Sequence, residues 1–399
     1  MEIANRRELE LYIHIPFCVK KCNYCDCLSF GMEDERLADM PCRPTRQLPI
    51  PDMYVEALCR EIRWYGRQNR FRHRPVISVF FGGGTPSLMC EAQIFRVMAE
   101  LRENFIIRRN AEITMEANPG TLTPGKLKQM CFCGVNRLSL GLQSTSDREL
   151  KLLGRIHNYG AFLQSFKWAR EAGFENINVD LISAVPEQTV VSYRKSLEQI
   201  IALGPEHISA YSLIIEPGTL FETMMQEGKL RLPEEEEERK MYHLTQSCLS
   251  RAGYERYEIS NYASPGFECR HNMGYWQGRD YLGLGLGASG FIDGCRFSNT
   301  TNMKDYLTLE NGAQGWYSET EHLSRKAKME EFMFLGLRLL RGVSEKAFYQ
   351  KFDEKIMAVY GEAICKNETY GLLLRRNGRL RLTERGLDLA NMVMADFIL

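Results

Sequence analysis

Two hydrophobic patterns alternate along the first 255 residues. Short apolar runs rich in Val, Ile and Phe are followed by stretches in which apolar residues recur every three or four positions, the signatures of buried strands and amphipathic helices. The runs cover residues 11–17, 76–81, 112–117, 137–142, 177–182 and 207–215. Such alternation predicts βαβ units and a parallel sheet, either a complete or partial (β/α) barrel or an open doubly wound sheet.

Helix signals separate these runs. A helical stretch over 189–203 is followed by Gly204, a residue favoured just after a helix end. Another helix is predicted to begin at Pro233, and the five glutamates of 234–238 would then complement its N-terminus rather than form a binding patch.

The pattern changes after about residue 290, where helical periods dominate. We therefore predict a fold of class α/β with three parts: a barrel core over 1–255, a connecting segment over 256–290, and a smaller, mostly helical C-terminal domain over 291–399. The segment 31–51 is polar, contains four prolines and has no clear period. It is predicted to be a long loop.

Composition narrows the class of protein. The 399 residues carry 51 basic and 51 acidic side chains, whereas nucleic-acid grooves usually bring a basic excess. No apolar run is long enough to span a membrane, and the charged N-terminus lacks a secretory core. A cytoplasmic protein is therefore expected, in which the 13 cysteines serve metal binding, catalysis or packing rather than disulfides.

A cysteine cluster directly follows the first predicted strand, in the spacing Cys18-x3-Cys22-x2-Cys25-x-Cys27. Three thiolates on one loop can bind three corners of a [4Fe-4S] cluster and leave one iron open. That iron suits S-adenosylmethionine (SAM), which an electron from the cluster cleaves. The alternative is a zinc site on all four cysteines, although structural zinc sites usually draw on two separated knuckles.

Glycines and polar residues at the ends of the later strands agree with a cofactor pocket. The run 82–84 consists of glycine, which lets the backbone approach a ligand and offer its amides. Polar side chains near the carboxyl ends of barrel strands usually face a ligand. In this chain, the polar residues near the ends of the later strands are Glu116, Gln143, Arg155 and Asp180.

These motifs, with Tyr12-Ile-His-Ile-Pro-Phe-Cys18 and the run 81–86, resemble the radical SAM proteins of the coproporphyrinogen III dehydrogenase class. The resemblance covers nearly the whole chain, and the class contains oxygen-independent dehydrogenases and haem chaperones. It implies that Cys18, Cys22 and Cys25 ligate the cluster and that Tyr24 flanks it. The residues that it implies for SAM binding are Tyr12, Gly83, Gly84, Thr85, Glu116, Gln143, Arg155 and Asp180.

The sequence Arg270-His-Asn-Met-Gly-Tyr-Trp276 matches a His-Asn-x-x-Tyr-Trp signature that the haem chaperones link to haem binding. The resemblance implies haem contacts at His271, Tyr275 and Trp276. An imidazole can ligate haem iron, and aromatic rings can pack against a porphyrin. The alternative is a structural histidine in the turn that joins the domains.

Two further features bear on the branch of the family. Ten residues precede the first predicted strand, whereas the dehydrogenases carry a longer N-terminal extension that helps to form their porphyrinogen site. Cys27 instead favours the dehydrogenases, because the chaperones usually have Phe at this position. We expect a haem chaperone that receives electrons from a donor and passes haem to an acceptor protein. The alternative is an oxygen-independent coproporphyrinogen III dehydrogenase that decarboxylates its porphyrinogen substrate.

Overall fold

The computed structural model describes residues 8–37, 44, 45, 47, 49–309 and 317–398. The rest of the predicted 31–51 loop lies outside the described residues. The strands are β1 (Leu9–Ile15), β2 (Pro75–Gly83), β3 (Ile106–Ala117), β4 (Arg137–Gln143), β5 (Ile177–Ser183), β6 (His207–Ser212), β7 (Glu255–Arg256), β8 (Asn261–Ala263), β9 (Tyr281–Leu284), β10 (Ser289–Ile292), β11 (Cys295–Asn299), β12 (Tyr317–His322), β13 (Val343–Ser344), β14 (Leu373–Arg376) and β15 (Arg379–Leu382).

The helices fill the spaces between the strands. They are α1 (Asp52–Gly66), α2 (Asn69–Arg72), α3 (Glu91–Asn104), α4 (Pro124–Phe132), α5 (Asp147–Leu152), α6 (Tyr159–Ala172), α7 (Val190–Leu203), α8 (Leu220–Gln226), α9 (Glu235–Arg251), α10 (Arg270–Trp276), α11 (Met303–Thr308), α12 (Arg325–Leu337), α13 (Glu345–Phe352), α14 (Ile356–Thr369), α15 (Glu384–Asp388) and α16 (Ala390–Ala395). In the described part of the chain, no helix is both long and apolar enough to cross a bilayer.

A partial (β/α) barrel forms the larger part of the molecule. Strands β1 to β6 are parallel and pair in sequence order, so all six predicted strands are confirmed. The predicted helices are confirmed as α7, which Thr189 and Gly204 cap, and α9, whose first turn is acidic. Because the sheet ends in two edge strands, β12 and β7, the barrel is not closed.

Strand periodicity gives the barrel a polar interior. Along β1, Leu9, Leu11 and Ile13 belong to the main hydrophobic core under the surrounding helices. Glu10 and Tyr12 alternate with them and point to the opposite side of the sheet. The register pairs Glu10 with Ser78 and Ser78 with Glu112, so a belt of polar side chains crosses the interior near the amino-terminal ends of the strands.

The main sheet extends further along the chain than the sequence predicted. Strand β9 pairs parallel with β1, and β10, β11 and β12 add to it antiparallel. Strand β10 spans the boundary predicted at residue 290, so that boundary falls inside the sheet. The reason is that the strands of 281–322 bury their apolar residues in the barrel core, whereas a separate core begins at Met329.

The C-terminal part is small and mostly helical, as predicted. Helices α12 to α16 enclose a three-stranded sheet in the order β13–β15–β14. Its core includes Phe348, Ile364, Leu380 and Phe397, all fully buried.

A buried carboxyl joins the added strands to the barrel. Glu61 on α1 is fully buried and accepts hydrogen bonds from the Gly285 amide (2.8 Å), the Asn299 side-chain amide (2.6 Å) and the Tyr306 hydroxyl (2.7 Å). Burial raises the pKa of Glu61 to about 7 even though these three donors act to lower it. The group thereby ties the segment 285–306 to α1.

We expect Glu61→Ala to lower the free energy of unfolding by about 3 kcal/mol or more, because it leaves three buried donors without their acceptor. Urea unfolding followed by circular dichroism measures this effect. Glu56→Ala on the exposed face of the same helix is the matched control. Equal unfolding midpoints for the two variants would show that the Glu61 contacts do not hold the added strands.

Candidate functional site

The cysteine loop leaves the carboxyl end of β1 and is closed at its base. The Cys18 amide donates to the Phe30 carbonyl (2.9 Å), and the Phe30 amide donates to the Pro16 carbonyl (2.8 Å). A β-bridge joins Phe17 to Phe30, and both rings are buried. The loop therefore holds its cysteines above the carboxyl end of the strand.

The three predicted ligand thiols lie close to one another and meet donors from other elements. Burial raises the pKa of the Cys18 thiol, and the nearby thiols of Cys22 and Cys25 raise it further. The Thr85 hydroxyl lies 3.4 Å from Cys18 Sγ, and Arg155 Nη1 lies 3.4 Å from Cys22 Sγ. Thiolates that bind a metal keep negative charge, so these donors suit a thiolate ligand set.

Cys27 lies beside the predicted set. Interaction with the Cys27 thiol lowers the pKa of the Cys25 thiol. The structure therefore adds Cys27 to the group without making it equivalent to the other three.

The glycine run at the end of β2 packs directly against the cysteine loop. Gly83 has φ +105°, and a Cβ there would overlap the His14 ring. A Cβ on Gly84 would lie 2.6 Å from the Phe17 carbonyl oxygen. Only glycine fits at these two positions, because the backbone of β2 approaches β1 and the cysteine loop too closely for a side chain.

Polar side chains from β3, β4 and β5 complete this end of the barrel. Burial raises the pKa of Glu116 to about 8, and the Asp180 carboxyl contributes to the rise. Burial also raises the pKa of Asp180, to which Asn178 donates a hydrogen bond of 2.7 Å. Gln143 adopts φ +77° where the β4–β5 register shifts. Two neighbouring carboxyls whose pKa values are both raised are a frequent mark of a ligand site.

The two tyrosines line the same space. Tyr12 hydrogen-bonds His14 Nδ1 (3.1 Å). Burial raises its pKa, and Glu116 and Cys27 raise it further. Burial also raises the pKa of Tyr24, on which Arg155 acts in the opposite direction. The structure thus brings together, at the carboxyl ends of the strands, the cysteines and the pocket residues predicted from sequence.

Sequence reasoning missed Asn118, which organises the pocket. Its side-chain amide donates to Thr85 Oγ1 (2.9 Å), and its carbonyl oxygen accepts from Arg155, which also donates to the Gly141 carbonyl (2.6 Å). Asn118 follows Glu116 by two residues and lies directly after the predicted strand run 112–117. Its position after a predicted strand end was the available signal.

The aromatic motif of α10 lies at the opposite end of the barrel. The amides of Arg270 and His271 donate to the Glu112 carboxylate (3.0 and 3.1 Å). His271 is 1% exposed, and its Nδ1 and Nε2 atoms hydrogen-bond Ser78 Oγ (2.8 Å) and Tyr275 OH (2.9 Å). Because the register places Ser78 and Glu112 near the start of β1, α10 plugs the amino-terminal end.

The remaining aromatic residues of the motif also make contacts within the protein. Tyr275 packs edge-on against Tyr281 with ring centroids 4.6 Å apart. The Arg338 guanidinium lies 4.3 Å from the centroid of the Trp276 ring, which joins α10 to the C-terminal domain. Burial and the Arg137 charge lower the pKa of His271 to about 3. In this arrangement neither nitrogen of His271 is free to ligate iron.

The zinc alternative requires the four loop cysteines to converge on one ion. Among the residues that the structure describes, no group of three or more Cys, His, Asp or Glu side chains is arranged to hold a single metal ion. The thiolates of a [4Fe-4S] cluster each bind a different iron and therefore stand further apart.

The fold and the pocket define a radical SAM protein. Residues 12–200 match the Radical SAM superfamily, and residues 323–389 match the HemN C-terminal domain. The structure is similar to that of the coproporphyrinogen III oxidase HemN from Escherichia coli, a radical SAM enzyme, with a TM-score of 0.82 and 26% identity over 98% of this chain and 90% of that chain.

Sequence comparison defines the branch. The chain is 36% identical over 388 residues to the heme chaperone HemW of Lactococcus lactis, which is 97% of each chain, and 34% identical over 403 residues to that of Escherichia coli K12, which is 98% of each chain. The chain therefore belongs to the HemW family of the radical SAM superfamily. The relationship covers both the barrel and the C-terminal domain.

Proposed function

We propose that Cys18, Cys22 and Cys25 hold the [4Fe-4S] cluster that superfamily membership implies. The observation that supports this ligand set is the pair of donors on the cysteine sulfurs, Thr85 on Cys18 and Arg155 on Cys22. Such hydrogen bonds offset the negative charge of a thiolate and tune the reduction potential of a cluster.

SAM would occupy the pocket beside this loop. When bound, the cluster and SAM supply one-electron cleavage of a carbon–sulfur bond. The amide-lined glycines Gly83 and Gly84 leave room for the methionine backbone, and Glu116 would accept hydrogen bonds from its amino group. Because burial raises the pKa of Glu116 to about 8, a cation beside it allows that carboxyl to ionise. The other residues proposed to contact SAM are Tyr12, Tyr24, Thr85, Gln143, Arg155 and Asp180.

The close approach at Gly83 leads to a specific prediction. Gly83→Ala is expected to weaken SAM binding at least about tenfold, because its methyl group overlaps His14 and moves the strand end that contacts the ligand. Equilibrium dialysis of SAM with the cluster-reconstituted protein measures the loss. Gly173→Ala has similar backbone strain (φ +101°) but an open surrounding, so it should bind SAM normally. Normal binding by the Gly83 variant would contradict the assigned pocket.

We propose that the protein binds haem and hands it to an acceptor protein, in the reducing cytoplasm where its cysteines stay free. The observation that carries this proposal is the near full-length similarity to heme chaperones, which includes the C-terminal domain. An electron donor would reduce the cluster. Trp276 and Tyr275 are proposed to shape the haem-binding end of the barrel from α10, and His271 to support them.

A second function is favoured by a specific observation. The fold matches HemN over nearly the whole chain, and Cys27, at a position where the chaperones usually have Phe, stands beside the proposed cluster ligands. Oxidative decarboxylation of coproporphyrinogen III is therefore the alternative activity.

One anaerobic experiment separates the two functions. The reconstituted protein receives coproporphyrinogen III with SAM and a reductant in one sample, and haem in a parallel sample. Stoichiometric haem uptake without porphyrinogen turnover supports the chaperone. Formation of protoporphyrinogen would establish dehydrogenase activity instead. Failure of the protein to bind haem would overturn the chaperone proposal.

A further inference from the structure

A cavity of about 240 Å³ opens at the amino-terminal end of the barrel, beside α10. Three of its lining residues are arginines from two parts of the chain: Arg108 from β3, and Arg270 and Arg279 at the two ends of the α10 region. The other lining residues are Glu8, Ile77, Asn110, Gly266, Glu268 and Met273. We call this space the basal cavity.

Helix α10 separates the basal cavity from the barrel interior. Its residues His271 and Tyr275 face inward and hydrogen-bond each other. Arg270 and Met273 line the cavity instead, although they belong to the same seven-residue motif. The motif therefore presents two faces. His271 and Tyr275 close the end of the barrel, and Arg270 and Met273 line the cavity.

Three guanidinium groups and two carboxylates, those of Glu8 and Glu268, line the cavity, so its lining carries an excess of positive charge. The Arg270 guanidinium donates to the Asn110 carbonyl through Nη1 (3.0 Å), which holds it in place and uses one of its five N–H groups. Arg279 Nη1 lies 3.4 Å from the Glu10 carboxylate, and the Arg279 side chain stays 26% exposed, which leaves other N–H groups open to a ligand. Guanidinium groups fixed in this way favour carboxylate ligands over neutral ones.

The volume limits what the cavity can take. Pockets that enclose a whole drug-sized ligand measure roughly 300–1,000 Å³, so the basal cavity is too small for a complete porphyrin. It is large enough for the propionate edge, with the macrocycle outside the mouth. Met273 places a thioether among the lining residues, where it can contact the macrocycle face.

We propose that the basal cavity anchors the propionate carboxylates of haem through Arg270 and Arg279, whereas Arg108 is already ion-paired with Glu8 (2.6 Å). This inference rests on the proposed haem binding and adds the chemical group that is recognised. The loop cysteines and the SAM pocket at the other end of the barrel take no part in it. Cargo and cofactor would thus occupy opposite ends of one barrel.

The test compares haem with its dimethyl ester, in which both carboxylates are blocked. The wild-type protein, titrated anaerobically and followed by absorption spectroscopy, should bind haem at least about tenfold more tightly than the ester. Arg270→Gln should lose about tenfold in haem affinity and leave ester binding unchanged. The side chain is the right target, because the backbone amide of Arg270 holds the barrel contact with Glu112.

Two further variants serve as controls for the haem titrations. Arg109→Gln, at an exposed position next to Arg108, should bind both ligands as wild type does. Met273→Leu, which conserves volume, should change the haem spectrum more than the affinity. Equal affinity of the wild type for haem and ester would overturn the anchor and leave haem binding intact. A wild-type protein that binds neither ligand would overturn the proposed function together with the anchor.

Discussion

Replacement of Cys22 by alanine is expected to leave the purified protein without an iron–sulfur cluster. A cubane held by three thiolates has no spare protein ligand, so the loss of one leaves two irons open to solvent. The loss of cluster should be larger for Cys22→Ala than for a change at Arg155. The first removes a ligand of iron, whereas the second removes only a hydrogen-bond donor to that ligand. Anaerobic reconstitution followed by iron and sulfide analysis and visible absorption measures the outcome.

Two controls make the cysteine prediction sharp. Cys365→Ala, at an exposed position in the C-terminal domain, should reconstitute fully. Cys27→Ala should also keep its cluster, because the proposed ligand set consists of Cys18, Cys22 and Cys25 alone. A Cys22 variant with full iron and sulfide, or a Cys27 variant with none, would show that the ligand set is assigned wrongly.

The strands, and the convergence of the polar residues in the proposed SAM pocket, were predictable because local sequence determines them. The parallel strands are buried along most of their length and therefore read as apolar runs. Their carboxyl ends lie at the same edge of the sheet, so polar residues such as Glu116 and Asp180 had to converge. Gly83 and Gly84 carried a similar signal, because a glycine run after a strand indicates close backbone approach.

The base of the barrel was not predictable in the same way. The contact between Glu112 and the amides of Arg270 and His271 joins residues about 160 positions apart, and no periodicity records such a pairing. The boundary at 290 failed for a related reason. Strands β10 and β11 are short and look like turn-rich connections until β9, which pairs with β1, provides an edge for them.

The two ends of the barrel are joined by a row of stacked rings. Tyr12, in the proposed SAM pocket, stacks on Phe80 with centroids 6.3 Å apart, and Phe80 stacks on His271 at 5.1 Å. His271 is therefore the last ring of a packed interior row rather than a residue on a ligand-binding surface. Removing it should disturb the core of the barrel before it disturbs any cargo.

His271→Ala is accordingly expected to lower the free energy of unfolding by about 3–5 kcal/mol. The change leaves a cavity beside Phe80 and removes the partner of two buried hydroxyls, Ser78 Oγ and Tyr275 OH, and both effects are costly in a core. His271→Gln, which keeps polar atoms at the site, should lose less. Urea unfolding of the cluster-free protein measures both variants, with the exposed His73→Gln as control.

The pH dependence of stability gives an independent measure of the same burial. Burial first, and the Arg137 charge second, lower the pKa of His271 to about 3 in the folded state, whereas an unfolded histidine titrates near 6.5. Between these values the unfolded chain binds a proton that the folded chain does not, so this contribution is complete above pH 6.5 and is lost as the pH falls towards 3. The stability gap between wild type and His271→Gln should therefore narrow from pH 7 to pH 5.

Haem titrations distinguish a His271 that stabilises the barrel core from a His271 that ligates the haem iron. If Arg270 and Arg279 anchor the propionates, folded His271→Gln protein should retain haem affinity within about threefold of wild type, since the His271 side chain faces the barrel interior. Titrations at pH 7.5, where the variant is folded, provide the comparison with Arg270→Gln. A His271→Gln protein of wild-type stability that no longer binds haem would instead mean that α10 rearranges to present His271 to the iron.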